Sequence, residues 1–113
     1  MTTAREILAL ADEIEAALRL DRPPSVRAAR AGAIAEAAER AAGRSALGGP
    51  ASDKQSAALR NAFWRLVSEV RRAASARTSH DGMIVAIAQA VEDAREDVSE
   101  IPDASPRNQA TRA

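Results

Sequence analysis

The spacing of the apolar residues between Ser52 and Arg77 constrains the fold of this chain more than any other feature. They recur at intervals of three and four, the period of a helix with one face against a hydrophobic core. They are Leu59, Phe63, Leu66, Val67, Val70 and Ala74. No alternating apolar run bounded by turn residues appears in the sequence, so no strand is predicted. The sequence therefore predicts an all-α fold.

Two further amphipathic helices have recognisable start signals. Thr3 and Glu6 form a capping-box pattern at the start of the first helix, which ends before Pro23. Ser79 or Asp81 is expected to cap the last helix, after a break at Arg77–Gly82. The residues predicted to face inward are Ile7, Leu10, Ala11, Ile14, Ala17 and Leu18 in the first helix, and Ile84, Ile87, Val91, Ala94 and Val98 in the last.

The second helix is rich in alanine and is predicted from about Ser25 to Ala42. Gly43 is placed to end it in a left-handed conformation. Ser52 and Gln55 repeat the capping-box pattern and open the third helix. The residues of the second helix predicted to face inward are Val26, Ala29, Ala33, Ile34, Ala37 and Ala41. This alanine stripe is expected to let a neighbouring helix approach closely.

The domain organisation follows from these elements. One domain over residues 1–101 is expected, a small bundle of four main helices, with room for one extra short helix in the 44–51 loop. Residues 102–113 have no apolar period and are expected to form a disordered tail.

Several classes of protein are disfavoured by composition. The chain has no cysteine, which excludes disulfides, iron–sulfur clusters and thiolate zinc sites. No apolar stretch reaches the roughly 18 residues that a membrane span needs, so no membrane partner is expected. The N-terminus leads into an amphipathic helix rather than a signal-peptide apolar region. A soluble cytoplasmic protein is the expectation.

No catalytic constellation is recognisable. His80 is the single histidine and is expected to have a loop or capping role at a helix start. The acids Glu92, Asp93, Glu96 and Asp97 have the spacing of a solvated helix face. The stretch Gly48-Gly49-Pro50 lacks the lysine and hydroxyl of a phosphate-binding loop. We therefore expect a non-enzyme with no catalytic residue, no metal, no cofactor and no small-molecule substrate.

The polar side of the third helix is the candidate site. It carries five cations with Glu69 as the only acid, and Trp64 falls among them, away from the apolar stripe. The basic face, predicted to bind nucleic acid, consists of Lys54, Arg60, Trp64, Arg65, Arg71 and Arg72. The arginines would repel one another unless an anion lies over them, and their planar forks suit phosphate. Two alternatives stay open: contacts with an acidic helix of this chain or of a partner, and a Trp64 ring that closes the edge of the core.

Charge is segregated along the chain although the net charge is zero. Residues 1–22 hold three arginines against five acids, and residues 81–113 hold three against seven. Residues 23–44 and 45–80 are both net positive. This layout is compatible with an anionic partner, or with acidic and basic helices that pair inside the bundle. It also predicts that copies of the chain associate head to tail in an open stack.

Fifteen residues from Ser52 to Leu66 resemble one pattern of the small helical subunits of type III CRISPR effector complexes. In that pattern a polar capped start precedes Leu-Arg and then an aromatic pair. Leu59-Arg60 and Phe63-Trp64 occupy those places here, with one extra residue between them. A type IV assembly, which is similar in architecture, fits equally well.

The resemblance implies a non-catalytic subunit that stacks in several copies in a ribonucleoprotein for antiviral or anti-plasmid defence. It would contact the large backbone subunits and the guide RNA or guide–target duplex, with Arg60 on nucleic acid and Leu59 and Phe63 in the core. The alternative is a helical protein-binding module, such as a phage-encoded inhibitor or an adaptor. A DNA-binding regulator ranks last, because the Gly43–Ala51 connection is too long for a helix-turn-helix and the residues after Gly82 are too acidic for a groove.

Overall fold

The computed structural model describes residues 3–45 and 54–101, and within these ranges the chain forms four helices and no strand. The helices are α1 (Ala4–Leu18), α2 (Pro24–Ser45), α3 (Lys54–Ala74) and α4 (His80–Ser99). They follow one another around a bundle in which α4 also packs on α1. The predicted all-α bundle of four main helices is confirmed. The predicted tail and nearly all of the 44–51 loop lie outside the described residues.

The start signals of α1 and α4 are confirmed. The Thr3 Oγ1 accepts a hydrogen bond of 3.1 Å from the backbone N–H of Glu6, and the Ser79 Oγ accepts one of 3.0 Å from Gly82. Ser79, rather than Asp81, is therefore the N-cap of α4. Each hydroxyl satisfies a backbone donor that the first turn of a helix leaves without a partner.

The core lies on the predicted faces of α1, α3 and α4. The largest fully buried side chains include Ile7, Ile14, Leu66 and Ile87, so three helices contribute bulky residues to one cluster. Every residue of α1 predicted to face inward is buried, and Phe63 is buried beside the Leu66 turn of α3. Among the described residues the core contains no polar or charged side chain.

The predicted orientation of α2 is wrong. Its buried residues are Ala28, Ala31 and Ala35, with Ile34, Ala38 and Ala42 partly buried. The residues expected inward that are exposed instead are Val26, Ala29, Ala33, Ala37 and Ala41. Alanine occurs on every side of this helix, so the apolar pattern does not select one face. The buried face is selected by close packing against the neighbouring helices. At Gly32, α2 approaches α3 so closely that an added Cβ would lie 2.8 Å from the Ala74 Cβ.

The predicted end of α2 at Gly43 is also wrong, since the helix continues to Ser45. Glycine permits the left-handed conformation but does not require it, and the neighbouring alanine and arginine are good helix formers. The Ser52 cap predicted for α3 lies outside the described residues.

A side chain that the sequence analysis did not single out closes the α1–α2 turn. The Arg27 guanidinium on α2 donates to the backbone carbonyl of Leu18 at 2.8 Å and to that of Arg22 at 3.0 Å. It therefore satisfies a carbonyl at the end of α1, where a positive charge also complements the helix dipole.

Candidate nucleic-acid interface

All six residues of the basic face lie on α3. Lys54 and Arg72 are exposed, Arg60 and Trp64 are half-buried, and the side chains of Arg65 and Arg71 are about half exposed. From Lys54 to Arg72 the face extends about 27 Å at the rise of an α-helix. The helix therefore presents these residues along one elongated surface, which its buried stripe fixes against the core.

Arg65 ties α3 to α4. Its guanidinium donates to the Glu69 carboxylate at 3.1 Å and to both carboxylate oxygens of Asp97 at 3.0 and 3.1 Å. Asp93 lies 3.7 Å away. The hydrogen bond to Glu69 and the negative charges of Asp97 and Asp93 raise the pKa of Arg65. Its donors point toward acids of the same chain.

Arg71 ties α3 to α2, because its guanidinium donates to the Glu39 carboxylate. For Arg65 and Arg71 the anion expected over the basic face is thus a carboxylate of this chain, the alternative that the sequence left open. An external anion is not needed to relieve repulsion at these two positions.

Trp64 lies at the edge of the hydrophobic core. Its ring meets the Phe63 ring edge to face, with centroids 5.2 Å apart and an interplanar angle of 86°. It is partly buried and packs against the core, which is the alternative that the sequence left open for this ring. Phe63 is buried and Trp64 follows it in sequence, so the contact between the two rings places the indole at the edge of the core. Part of the ring still borders the outward surface.

Two cations of the basic face stay open to solvent. Lys54 and Arg72 are exposed and make no ion pair with a described residue. Arg60 is half-buried and lies one helical turn before Trp64 on the same side of the helix. Lys54 and Arg72 are therefore the part of the basic face best placed to meet an external anion.

Arg95 holds the acidic helices α1 and α4 together, and the sequence analysis did not identify it. Its guanidinium donates to Asp12 at 2.8 Å and to Glu15 at 2.9 and 3.2 Å. These hydrogen bonds raise the pKa of Arg95, and the hydrogen bond from Arg95 lowers the pKa of Glu15. Arg95 is the one lysine or arginine in the α4 sequence, and this isolated positive charge among acids could have indicated its role.

Two acids of α4, Asp93 and Asp97, are engaged with side chains of this chain. Asp97 and Asp93 face Arg65, and Asp93 also accepts a hydrogen bond of 2.9 Å from Gln89. His80 is exposed at the first residue of α4. Within the part of the chain that the structure describes, no three His, Cys, Asp or Glu side chains are grouped so as to hold a metal ion.

Comparisons with protein-family models, with curated proteins and with solved structures found no match to this chain. Among the described helices none is long and apolar enough to cross a membrane.

Proposed function

We propose that this chain is a non-catalytic helical subunit of a ribonucleoprotein that binds the backbone of guide RNA, or of a guide–target duplex, through the basic face. The observation that carries the proposal is the outward side of α3, which places five cations and a partly buried indole along one surface and has Glu69 as its one acid in the α3 sequence. Phosphate contacts by Arg and Lys supply sequence-independent affinity, and an aromatic ring adds stacking on a base.

The six residues have different roles in this proposal. Lys54 and Arg72, which are exposed, make the main phosphate contacts, and Arg60, which the family resemblance places on nucleic acid, adds one from a half-buried position. Arg65 and Arg71 hold α3 in place through their carboxylate partners, and their half-exposed side chains extend the positive field. Trp64 stacks on a base through the accessible part of its ring, while the edge-to-face contact with Phe63 holds the ring in place. The division predicts which substitutions reduce binding without loosening the bundle.

The resemblance of the Ser52–Leu66 segment adds the setting. It supports a place among the small subunits of type III or type IV CRISPR effector complexes, where several copies lie against large backbone subunits. The all-α bundle agrees with such a subunit. Cytoplasmic CRISPR interference is the corresponding process.

A second candidate is a helical protein-binding module whose basic face meets an acidic protein surface. The observation that favours it is the chemistry already present at Arg65 and Arg71, which bind carboxylates of this chain. An acidic helix of a partner protein would form arginine–carboxylate pairs of the same type.

Binding of a fluorescently labelled single-stranded RNA separates the two candidates. The variant K54Q/R60Q/R72Q removes three cations without touching the ties at Arg65 and Arg71. We expect wild-type affinity to fall steeply with salt. In the variant, the slope of log K against log salt should be smaller by about two, since each phosphate contact contributes about 0.7 on a single strand.

The control is R5Q/R19Q/R22Q, which removes the same charge from α1 and the turn after it. We expect the control to bind RNA nearly as wild type does. Equal losses in the two triple variants would show general attraction to a positive protein. Absence of RNA binding by the wild type, with an acidic protein captured instead, would favour the protein-binding module.

A further inference from the structure

A shallow groove of about 890 Å³ lies between α1 and α2, on a surface that the proposed function does not use. We call it the α1–α2 groove. Its walls are mainly apolar, with Leu10 from α1 and Val26, Ala33 and Ile34 from α2. Its two charged residues are Glu13 on the α1 wall and Arg30 on the α2 wall.

The α2 wall of the groove is a second apolar face of that helix. Ala28, Ala31 and Ala35 already fill the face toward the core. On the opposite side Val26, Ala29, Ala33 and Ala37 are exposed, at the spacing with which one helix contacts another, and Val26 is 41% exposed. An exposed apolar surface of this kind indicates an interaction site. Small side chains along it permit close approach of another helix.

Within residues 3–45 and 54–101, the two charges of the groove, Glu13 and Arg30, make no ion pair. This differs from Glu15 and Glu39, which are paired with arginines of neighbouring helices. As far as the structure describes the chain, the groove thus offers one unpaired charge of each sign, on opposite walls.

We propose that the α1–α2 groove binds α2 of a second copy of this chain in a two-fold arrangement. The exposed alanines that line the α2 wall, Ala29, Ala33 and Ala37, form a low ridge along the groove, which we call the alanine ridge, so α2 of each copy can enter the groove of the other. In a two-fold contact residue i meets residue j and residue j meets residue i. Glu13 of each copy then faces Arg30 of the other, which uses both unpaired charges. A partner of one charge sign would satisfy only one of them.

Sedimentation across a concentration series tests this arrangement. Wild type is expected to change from one copy to two between about 10 µM and 1 mM, the range of a small, partly polar interface. Ala33→Glu places a charge at the centre of the ridge and should keep the chain as one copy. Ala88→Glu, at an exposed alanine of α4, is the matched control and should associate as wild type does. A wild type that stays single throughout the range, or equal effects of the two substitutions, would overturn the proposal.

A charge swap identifies the occupant. Glu13→Arg and Arg30→Glu should each weaken self-association by about fivefold or more, because each sets like charges together twice per dimer. The double variant E13R/R30E restores both pairs and should associate as wild type does. Arg77→Glu, in the α3–α4 turn, controls for the change in net charge that Arg30→Glu makes. A double variant as weak as the single variants would contradict the two-fold contact. All variants are checked for wild-type helicity by circular dichroism.

Discussion

Phe63 and Trp64 are neighbours in sequence with different roles in the structure. Phe63 is 8% exposed within the core cluster, whereas Trp64 is partly buried at its edge. Phe63→Ala is expected to lower the free energy of unfolding by roughly 3–5 kcal/mol, because it leaves a large cavity. Since a small domain has about 5–15 kcal/mol in total, this variant retains little stability.

Trp64→Ala is expected to lower the free energy of unfolding clearly less than Phe63→Ala does, because Trp64 is only partly buried. Urea unfolding of the two variants measures the difference. Equal losses would show that the indole is as deeply buried as the phenyl ring. The sequence predicted Phe63 in the core, but not the edge-to-face contact that draws Trp64 toward it.

The Glu15–Arg95 pair predicts a pH dependence of stability. The hydrogen bond from Arg95 lowers the pKa of Glu15 below its ordinary 4.5. Stability from this pair is therefore complete above that ordinary pKa and is lost as pH falls through the lowered value. In Arg95→Met the pKa of Glu15 returns toward normal, so stability should fall less between pH 7 and pH 3 than in wild type.

Urea midpoints at the two pH values measure this change. Arg5→Met, at an exposed arginine near the start of α1, is the control and should keep the wild-type pH dependence. An unchanged pH dependence in Arg95→Met would contradict the role of this pair.

At the scale of the helices, predictability depended on the size of the apolar residues. In α1 and α3 bulky residues such as Ile7, Ile14 and Leu66 occur on one side only, so the period selects the buried face. In α2 alanine occurs all round, and the face is selected by fit to the neighbouring helices. The buried face of α2 is therefore determined by packing and cannot be predicted from the apolar period of its sequence.

The close approach of α2 and α3 at Gly32 gives a test of this packing. Gly32→Ala gains helix propensity of about 1 kcal/mol, but its Cβ would lie 2.8 Å from the Ala74 Cβ. We expect the clash to dominate and the variant to lose about 1–2 kcal/mol net.

Ala74→Gly in the same chain removes the opposing Cβ. The swap G32A/A74G should therefore recover most of the stability of wild type, which thermal unfolding measures. A stabilised Gly32→Ala variant would mean that the helices are farther apart.

Across the whole molecule, arginines join each pair of adjacent helices. Arg95 joins α4 to α1, Arg65 joins α3 to α4, Arg71 joins α2 to α3, and Arg27 joins α2 to the end of α1. Many of the charges that are segregated along the sequence therefore pair with one another between helices of the bundle. The expected head-to-tail stack of copies stays a prediction, and its charge argument is weaker for this reason.

The candidate site was predictable in part. The sequence identified the cations of α3, because a helix with one apolar stripe places its charges on the other side. It could not identify Asp97 and Glu39 as partners of Arg65 and Arg71, since those pairs depend on which helices lie side by side. Long-range pairs of single charges leave no local pattern.

The most direct test of the central claim is nuclear magnetic resonance of the isotopically labelled protein titrated with a short single-stranded RNA. The largest shifts are expected at the indole N–H of Trp64 and at outward backbone amides from Lys54 to Arg72, with small shifts in the α1–α2 groove. They should weaken as salt is raised. Shifts confined to the groove, or no shifts at millimolar RNA in low salt, would contradict nucleic-acid binding by the basic face.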